Sequence, residues 1–397
     1  MTTTGARSSA TRSTIEQLLA AKEIVVVCGS GGVGKTTTAA ALANMAAADL
    51  GGKVLVLTVD PARRLADAMG LGSLGNTETR VSREAFAEAG LEPRGELWAA
   101  MLDTKQSWDD LVRRHAPDGA TRDAILANPL YRNVTGKFVH SHDYIAMERL
   151  YELHSSGVYD LIVVDTPPTR HAIDFLEAPE RMADFFSSRL LRWLLVPYRS
   201  RLVNVASRPF YQMADRALGS AFLKDIAEFF ILFQSMYGGF VERAGAVERV
   251  LEDRRTTFVV VTTLEAAPAQ EARRFIEVLA DKRLHLGAVV LNRVLPAVLL
   301  EPDATEAARQ LSSRPGEVAD LLATGDPKPA WDLAMLAQVL RELGESFLNF
   351  QVVAKREAEQ RAELAVSAEV VATVPSLDTD IFDLAGLVRL GEQLRRG

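Results

Sequence analysis

The 397-residue chain is 48% hydrophobic and 24% charged, with a formal net charge of −7. That is a soluble globular composition, long enough for one large α/β domain or two ordinary ones, and its acidic balance speaks against binding nucleic acid through a global basic field. A lone cysteine, Cys28, excludes internal disulfides and cysteine-cluster metal sites and fits a reducing, cytoplasmic setting, while no apolar run nears the ~18–20 residues of an integral membrane segment.

Residues 1–14 (MTTTGARSSATRST) are polar and lack an apolar centre, so they read as a disordered start and not as a signal peptide. A short helix is expected over Ile15–Lys22, followed by an apolar strand at Ile24–Cys28. Next, Gly29-Ser30-Gly31-Gly32-Val33-Gly34-Lys35-Thr36 fits G-x-x-x-x-G-K-[ST], the phosphate-binding loop. Glycines let backbone N–H groups close around phosphate oxygens, and a helix starting at Lys35 aims its positive dipole end at the same anion. In that pattern Lys35 reaches the β- and γ-phosphates and the Thr36 hydroxyl ligates Mg²⁺. The alternative is a strand–turn–helix whose glycines serve packing alone.

The helix from Lys35 is expected to run to Leu50 and stop at Gly51-Gly52. Lys53–Val59 (KVLVLTV) reads as a second buried strand, leading into Asp60-Pro61-Ala62-Arg63. Asp60 thus falls at the carboxyl end of a strand beside the phosphate loop, where open α/β sheets keep their chemistry; it is equally suited to cap a helix ahead of Pro61. Leu97–Leu102 is a third strand, and helical segments follow to Ser156. Tyr159–Val164 is a buried strand ending at Asp165, the pattern of an acid that holds Mg²⁺ through water; a capping Asp in a βα turn is the plainer alternative.

Half of the phenylalanines fall between Pro179 and Asp253. Phe222, Ile226, Phe229, Phe233, Met236 and Phe240 form one stripe at helical spacing, either the core of a helical subdomain or a groove for an apolar helix. Strands are then expected at Thr257–Thr263 and Gly287–Leu291, the second ending at Asn292-Arg293, with a helix at Pro268–Leu279 between them. Trp331 to about Glu363 reads as one or two helices. Val370–Val374 is a last strand before Pro375-Ser376-Leu377, and the final helix ends in Arg395-Arg396, as a packing element or a basic membrane anchor.

Together these pieces resemble the ArsA-type ATPases, a deviant-Walker group containing arsenical-pump ATPases and the ATPases that deliver tail-anchored membrane proteins, with ParA- and MinD-like proteins as more distant kin. The resemblance covers about residues 22–390 and rests on GSGGVGKTTT at 29–38, VDPARRLADAMG at 59–70, YDLIVVDTPPTRHAIDFLEAP at 159–179, VVLNR at 289–293 and VATVPSL at 371–377. The third segment is most similar to an actinobacterial ArsA-like branch whose members occur as two non-identical paralogues.

What the resemblance implies is an α/β P-loop NTPase with a mostly parallel sheet covered by helices and an inserted α-helical subdomain. A single domain would span 15–397, with helical insertions at about 107–156, 180–253 and 296–368. ATP/ADP and Mg²⁺ would be its cofactors. Gly29 to Thr36 would cradle the phosphates and Thr37 would touch the α-phosphate. Thr36, Asp60 and Asp165 would serve the metal, Asp60 orienting or deprotonating the attacking water. Asn292 would read the adenine edge, with Arg293 and Pro375 beside the base. The partners implied are an ArsA-like paralogue or a second copy, and a hydrophobic helical client held in the 180–245 region; a ParA- or MinD-like positioning role is a further alternative.

Three departures qualify the resemblance. Ser30 stands where the deviant loop carries a lysine that reaches into the partner's site. Arg170 replaces a switch glycine and would act in cis or stiffen the loop. Neither the Cys-x-x-Cys zinc staple nor the cysteine triplet of arsenite sites is present, which sets metalloid transport and zinc-stapled dimers aside.

Overall fold

Four consecutive β-branched residues and a cysteine make strand β1 (Ile24–Cys28), buried at every position. Only a strand covered on both faces tolerates such a sequence. The computed structural model describes residues 14–59, 64–72, 74–134, 141–167, 173, 176–178, 181, 184, 228–233, 235–324, 332–366 and 368–396. Within them, β1 is joined by β2 (Lys53–Thr58), β3 (Thr79–Arg80), β4 (Glu96–Met101), β5 (Leu161–Asp165), β6 (Thr256–Thr262), β7 (Leu286–Val294) and β8 (Val370–Pro375). They form one eight-stranded sheet in the order β3-β4-β2-β5-β1-β6-β7-β8. The paired strands are parallel except for the short edge strand β3, antiparallel to β4. This is an α/β P-loop NTPase architecture. Strand order reverses on either side of β1, and at such a switch point the loops after the strands open a crevice.

Alternate β1 residues feed two cores. Val25 and Val27 point to one face with the alanine-rich helix Lys35–Met45; Ile24, Val26 and Cys28 point to the other. Small alanines bring that helix close to the sheet, and it continues as one π turn, Ala46–Leu50, where a plain α-helix was expected. The last helix, Leu384–Arg396, buries Leu384, Leu387, Leu390 and Leu394 in the same core. A Cβ on its Gly391 would lie 2.8 Å from Met45 Cγ, so the two helices touch backbone to side chain. It is a packing element, and the membrane-anchor alternative falls.

The other core joins helices Thr104–His115, Ser141–Ser155 and Tyr237–Glu252. Phe229, Phe233, Met236 and Phe240 are each no more than 8% exposed. Trp108 lies 6.0 Å from Phe233 and 6.2 Å from Phe240, and Phe233 stacks on Phe240 at 5.3 Å. At these positions the aromatic stripe is closed core. Phe222 and Ile226, and with them most of the 180–245 region, lie outside the described residues, as do residues 1–13.

Between β7 and β8 stand helices Pro302–Ser313, Pro315–Ala323 and a single 32-residue helix, Leu333–Leu364. Gly344 admits the first of these against the long helix; a Cβ there would sit 2.5 Å from the Ala308 carbonyl oxygen. Met335, Val339, Leu343, Phe350 and Val353 remain 46–66% exposed at helical spacing. Among the described residues no helix is long and apolar enough to cross a membrane.

Candidate active site

β1 delivers the chain to the phosphate-loop sequence, and the backbone there requires glycine at particular positions. Gly32 and Gly34 have φ of +80° and +95°, which other L-residues rarely adopt. A Cβ on Gly29 would lie 2.1 Å from the Val261 carbonyl oxygen, and one on Gly34 2.5 Å from Asn292 Nδ2. Gly31 is different: nothing lies within 4 Å of a Cβ placed there, so sterics do not demand its glycine.

Lys35 opens the helix and is only 8% exposed. Its Nζ donates to the Ser30 carbonyl oxygen at 3.0 Å, which curls the ammonium back over the loop. Ser30 itself is 7% exposed, and its Oγ has no hydrogen-bond partner among the described residues. Val33 is buried beneath the loop, and Thr37 is half-buried at the first helical turn.

Thr36 and Asp165, 129 residues apart in sequence, meet directly: Thr36 Oγ1 donates to Asp165 Oδ2 at 2.7 Å. Asp165 is fully buried at the end of β5, beside β1. On its other side Thr166 donates its hydroxyl to the Val27 carbonyl at 2.9 Å, tying the loop after β5 to β1. A hydroxyl and a carboxylate converging beside a glycine loop are hard oxygen donors of the kind that suit Mg²⁺ next to phosphate, so the residues present fit the group.

A second hydroxyl on the same carboxylate was not singled out from the sequence: Thr58 Oγ1 donates to Asp165 Oδ2 at 3.0 Å from the end of β2. The available signal was a lone hydroxyl in the apolar run Val54–Val59. Asp60, two residues on, lies outside the described residues, as does Arg170.

On the other flank Asn292 Nδ2 donates to the Val33 carbonyl at 2.8 Å, so β7 is tied to the phosphate loop. Arg293 is exposed at φ +56°, and its N–H donates to Asn292 Oδ1 at 2.9 Å. Pro375, exposed, pairs with Val294 where β7 and β8 end. Asn292, Arg293 and Pro375 thus share the strand-end edge on which the phosphate loop sits. Glu357 of the long helix accepts the Leu295 N–H at 3.0 Å and fastens the turn after β7. Burial raises the pKa of this carboxyl.

Cys28 is the last residue before the loop. Burial pushes its thiol up to about 12, which disfavours the thiolate. Among the described residues no three His, Cys, Asp or Glu gather as a metal cluster.

The profile of the anion-transporting ATPase family matches residues 22–314. The ATPase BagA of Mycobacterium tuberculosis is 28% identical over 381 residues, covering 93% of this chain and 91% of that protein. The ATPase GET3 of Malassezia globosa is 26% identical, covering 74% of this chain and 80% of that protein. For the ATPase ASNA1 homolog 1 of Paramecium tetraurelia the values are 26%, 68% and 74%.

Proposed function

Since the chain belongs to the anion-transporting ATPase family and is an ATP-binding ATPase, we propose that it is a Mg²⁺-dependent, nucleotide-gated dimeric switch, working in the cytoplasm with a lysine-bearing paralogue. The observation that carries the Mg²⁺ reading is the Thr36–Asp165 contact of 2.7 Å beside the Gly29–Gly34 loop. In this reading the domain spans 15–397, with helical insertions at about 107–156, 180–253 and 296–368.

The phosphates would lie along Gly29, Ser30, Gly31, Gly32, Val33 and Gly34, held by the backbone N–H groups of that loop, with Thr37 at the α-phosphate. Lys35 exchanges its bond to the Ser30 carbonyl for the β- and γ-phosphate oxygens. Thr36, Asp60 and Asp165 would serve Mg²⁺, which, when bound, would neutralise charge that builds on the phosphates. Asp60 orients or deprotonates the attacking water, and Asn292, Arg293 and Pro375 hold the base. Catalysis of this kind is positioning and charge stabilisation around a loose phosphoryl transition state.

The pairing with a paralogue follows from Ser30, which is short, uncharged and nearly buried. It completes no neighbouring site, while this chain's own site can accept a partner's lysine. A client is the natural load for such a switch, and the exposed apolar face of Met335, Val339, Leu343, Phe350 and Val353 supports docking of a protein. The buried positions of Phe229 to Phe240 do not support a groove there.

Chelation tests the metal reading. With EDTA in excess, ATP turnover is expected to fall at least about 100-fold and to return when Mg²⁺ is restored, since metal stabilisation is worth several kcal/mol. Turnover that persists in EDTA contradicts it.

A further inference from the structure

Thr58 sits at an unusual place for a hydroxyl. The rest of β2 from Val54 to Leu57 is apolar and buried, and Thr58 is only 1% exposed at its end. Valine has nearly the same shape and would fill that space, whereas a buried hydroxyl costs free energy unless it is hydrogen-bonded. Among the described residues it bonds to Asp165. β2 and β5 run parallel with Thr58 directly opposite Asp165, and Thr58 Oγ1 reaches Asp165 Oδ2 at 3.0 Å.

The backbone doubles this tie. Val59 N–H donates to the Asp165 carbonyl oxygen at 3.0 Å. Residues 58 and 59 therefore hold both the carboxylate and the main chain of Asp165, and Thr36 holds the same carboxylate oxygen from the phosphate-loop helix at 2.7 Å. Two donors on one oxygen fix the carboxylate's orientation far better than one. Asp60 follows within two residues.

We propose that Thr58 is a positioning residue: its hydroxyl orients the Asp165 carboxylate for Mg²⁺ and ties the strand that leads to Asp60 to the strand that carries Asp165. The inference rests on the assignment of Asp165 to the metal.

The test measures binding apart from turnover. Binding of a fluorescent ADP analogue is followed as Mg²⁺ is added, for wild type, Thr58→Val, Thr58→Ser, Thr36→Ala and Asp165→Asn, alongside each variant's thermal midpoint. Thr58→Val is expected to raise the Mg²⁺ midpoint about tenfold, the size of one hydrogen bond to a charged group. Its nucleotide affinity in EDTA should be unchanged. Thr58→Ser, which keeps the hydroxyl, should stay within about twofold of wild type. A purely structural role would lower the thermal midpoint of Thr58→Val and leave the Mg²⁺ midpoint where it is, which overturns the inference. If Thr58→Val does not fold, Thr58→Ala takes its place, and the same shift in Mg²⁺ midpoint, present or absent, decides. Should Thr36→Ala and Asp165→Asn also leave the Mg²⁺ midpoint unmoved, the metal assignment itself fails.

Discussion

Replacing Lys35 by alanine is expected to cut ATP turnover by about 10²–10³-fold, the usual cost of removing one preorganised charge from a transition state. The side chain opens the phosphate-loop helix and is nearly buried, with its ammonium curled over the loop onto the Ser30 carbonyl at 3.0 Å. No other Lys or Arg lies within Gly29–Thr38. The charge gathering on the phosphates therefore has no substitute cation in the loop. Fold damage should be small by comparison, because the helix keeps its alanine-rich packing on β1. Steady-state turnover with a thermal melt separates the two effects. Turnover within threefold of wild type would mean that Lys35 is a loop cap and nothing more.

Asp60→Asn is expected to lower turnover by about 10²–10⁴-fold, the range for losing a general base, while Mg²⁺-dependent nucleotide binding stays near wild type. Asparagine keeps the size and the capping ability of the side chain but cannot take a proton from water. The ground for this role is position: Asp60 follows Thr58 and Val59, both bonded to Asp165. An unchanged rate would return Asp60 to the plainer role of a helix cap ahead of Pro61, and the mechanism would need a different group to position water.

Buried parallel strands are the easiest part of such a chain to read, because they are apolar on both faces; β1, β5 and β6 were legible for that reason. β3 was not, since Thr79-Arg80 is a two-residue antiparallel edge with no pattern of its own. Nor was the π turn at Ala46–Leu50, whose alanines suit an α-helix equally well. The aromatic stripe was ambiguous for a different reason. Phe229, Phe233 and Phe240 show the same spacing in a core or a groove, and what decides is Trp108 and Tyr144, far back in the chain. At the site, spacing marked Lys35 and Thr36 through a local motif. The Thr36–Asp165 and Asn292–Val33 contacts join residues 129 and 259 positions apart. The first was implied by the strand-end position of Asp165 and a shared Mg²⁺, whereas the role of Asn292 was reachable only by resemblance. Thr58 had neither a motif nor a family role to mark it, and only strand register brings it onto Asp165.

We propose that this chain carries its own phosphate loop and metal-holding residues and, with Ser30 in that loop, draws on a partner's lysine for full activity. The most direct measurement is native mass together with ATP turnover, on this chain alone and mixed with a lysine-bearing paralogue. A 1:1 complex with turnover raised about 10³-fold or more, the range for a cation supplied in trans, is the predicted result. A homodimer of this chain that is already fully active, and gains nothing on mixing, would contradict it.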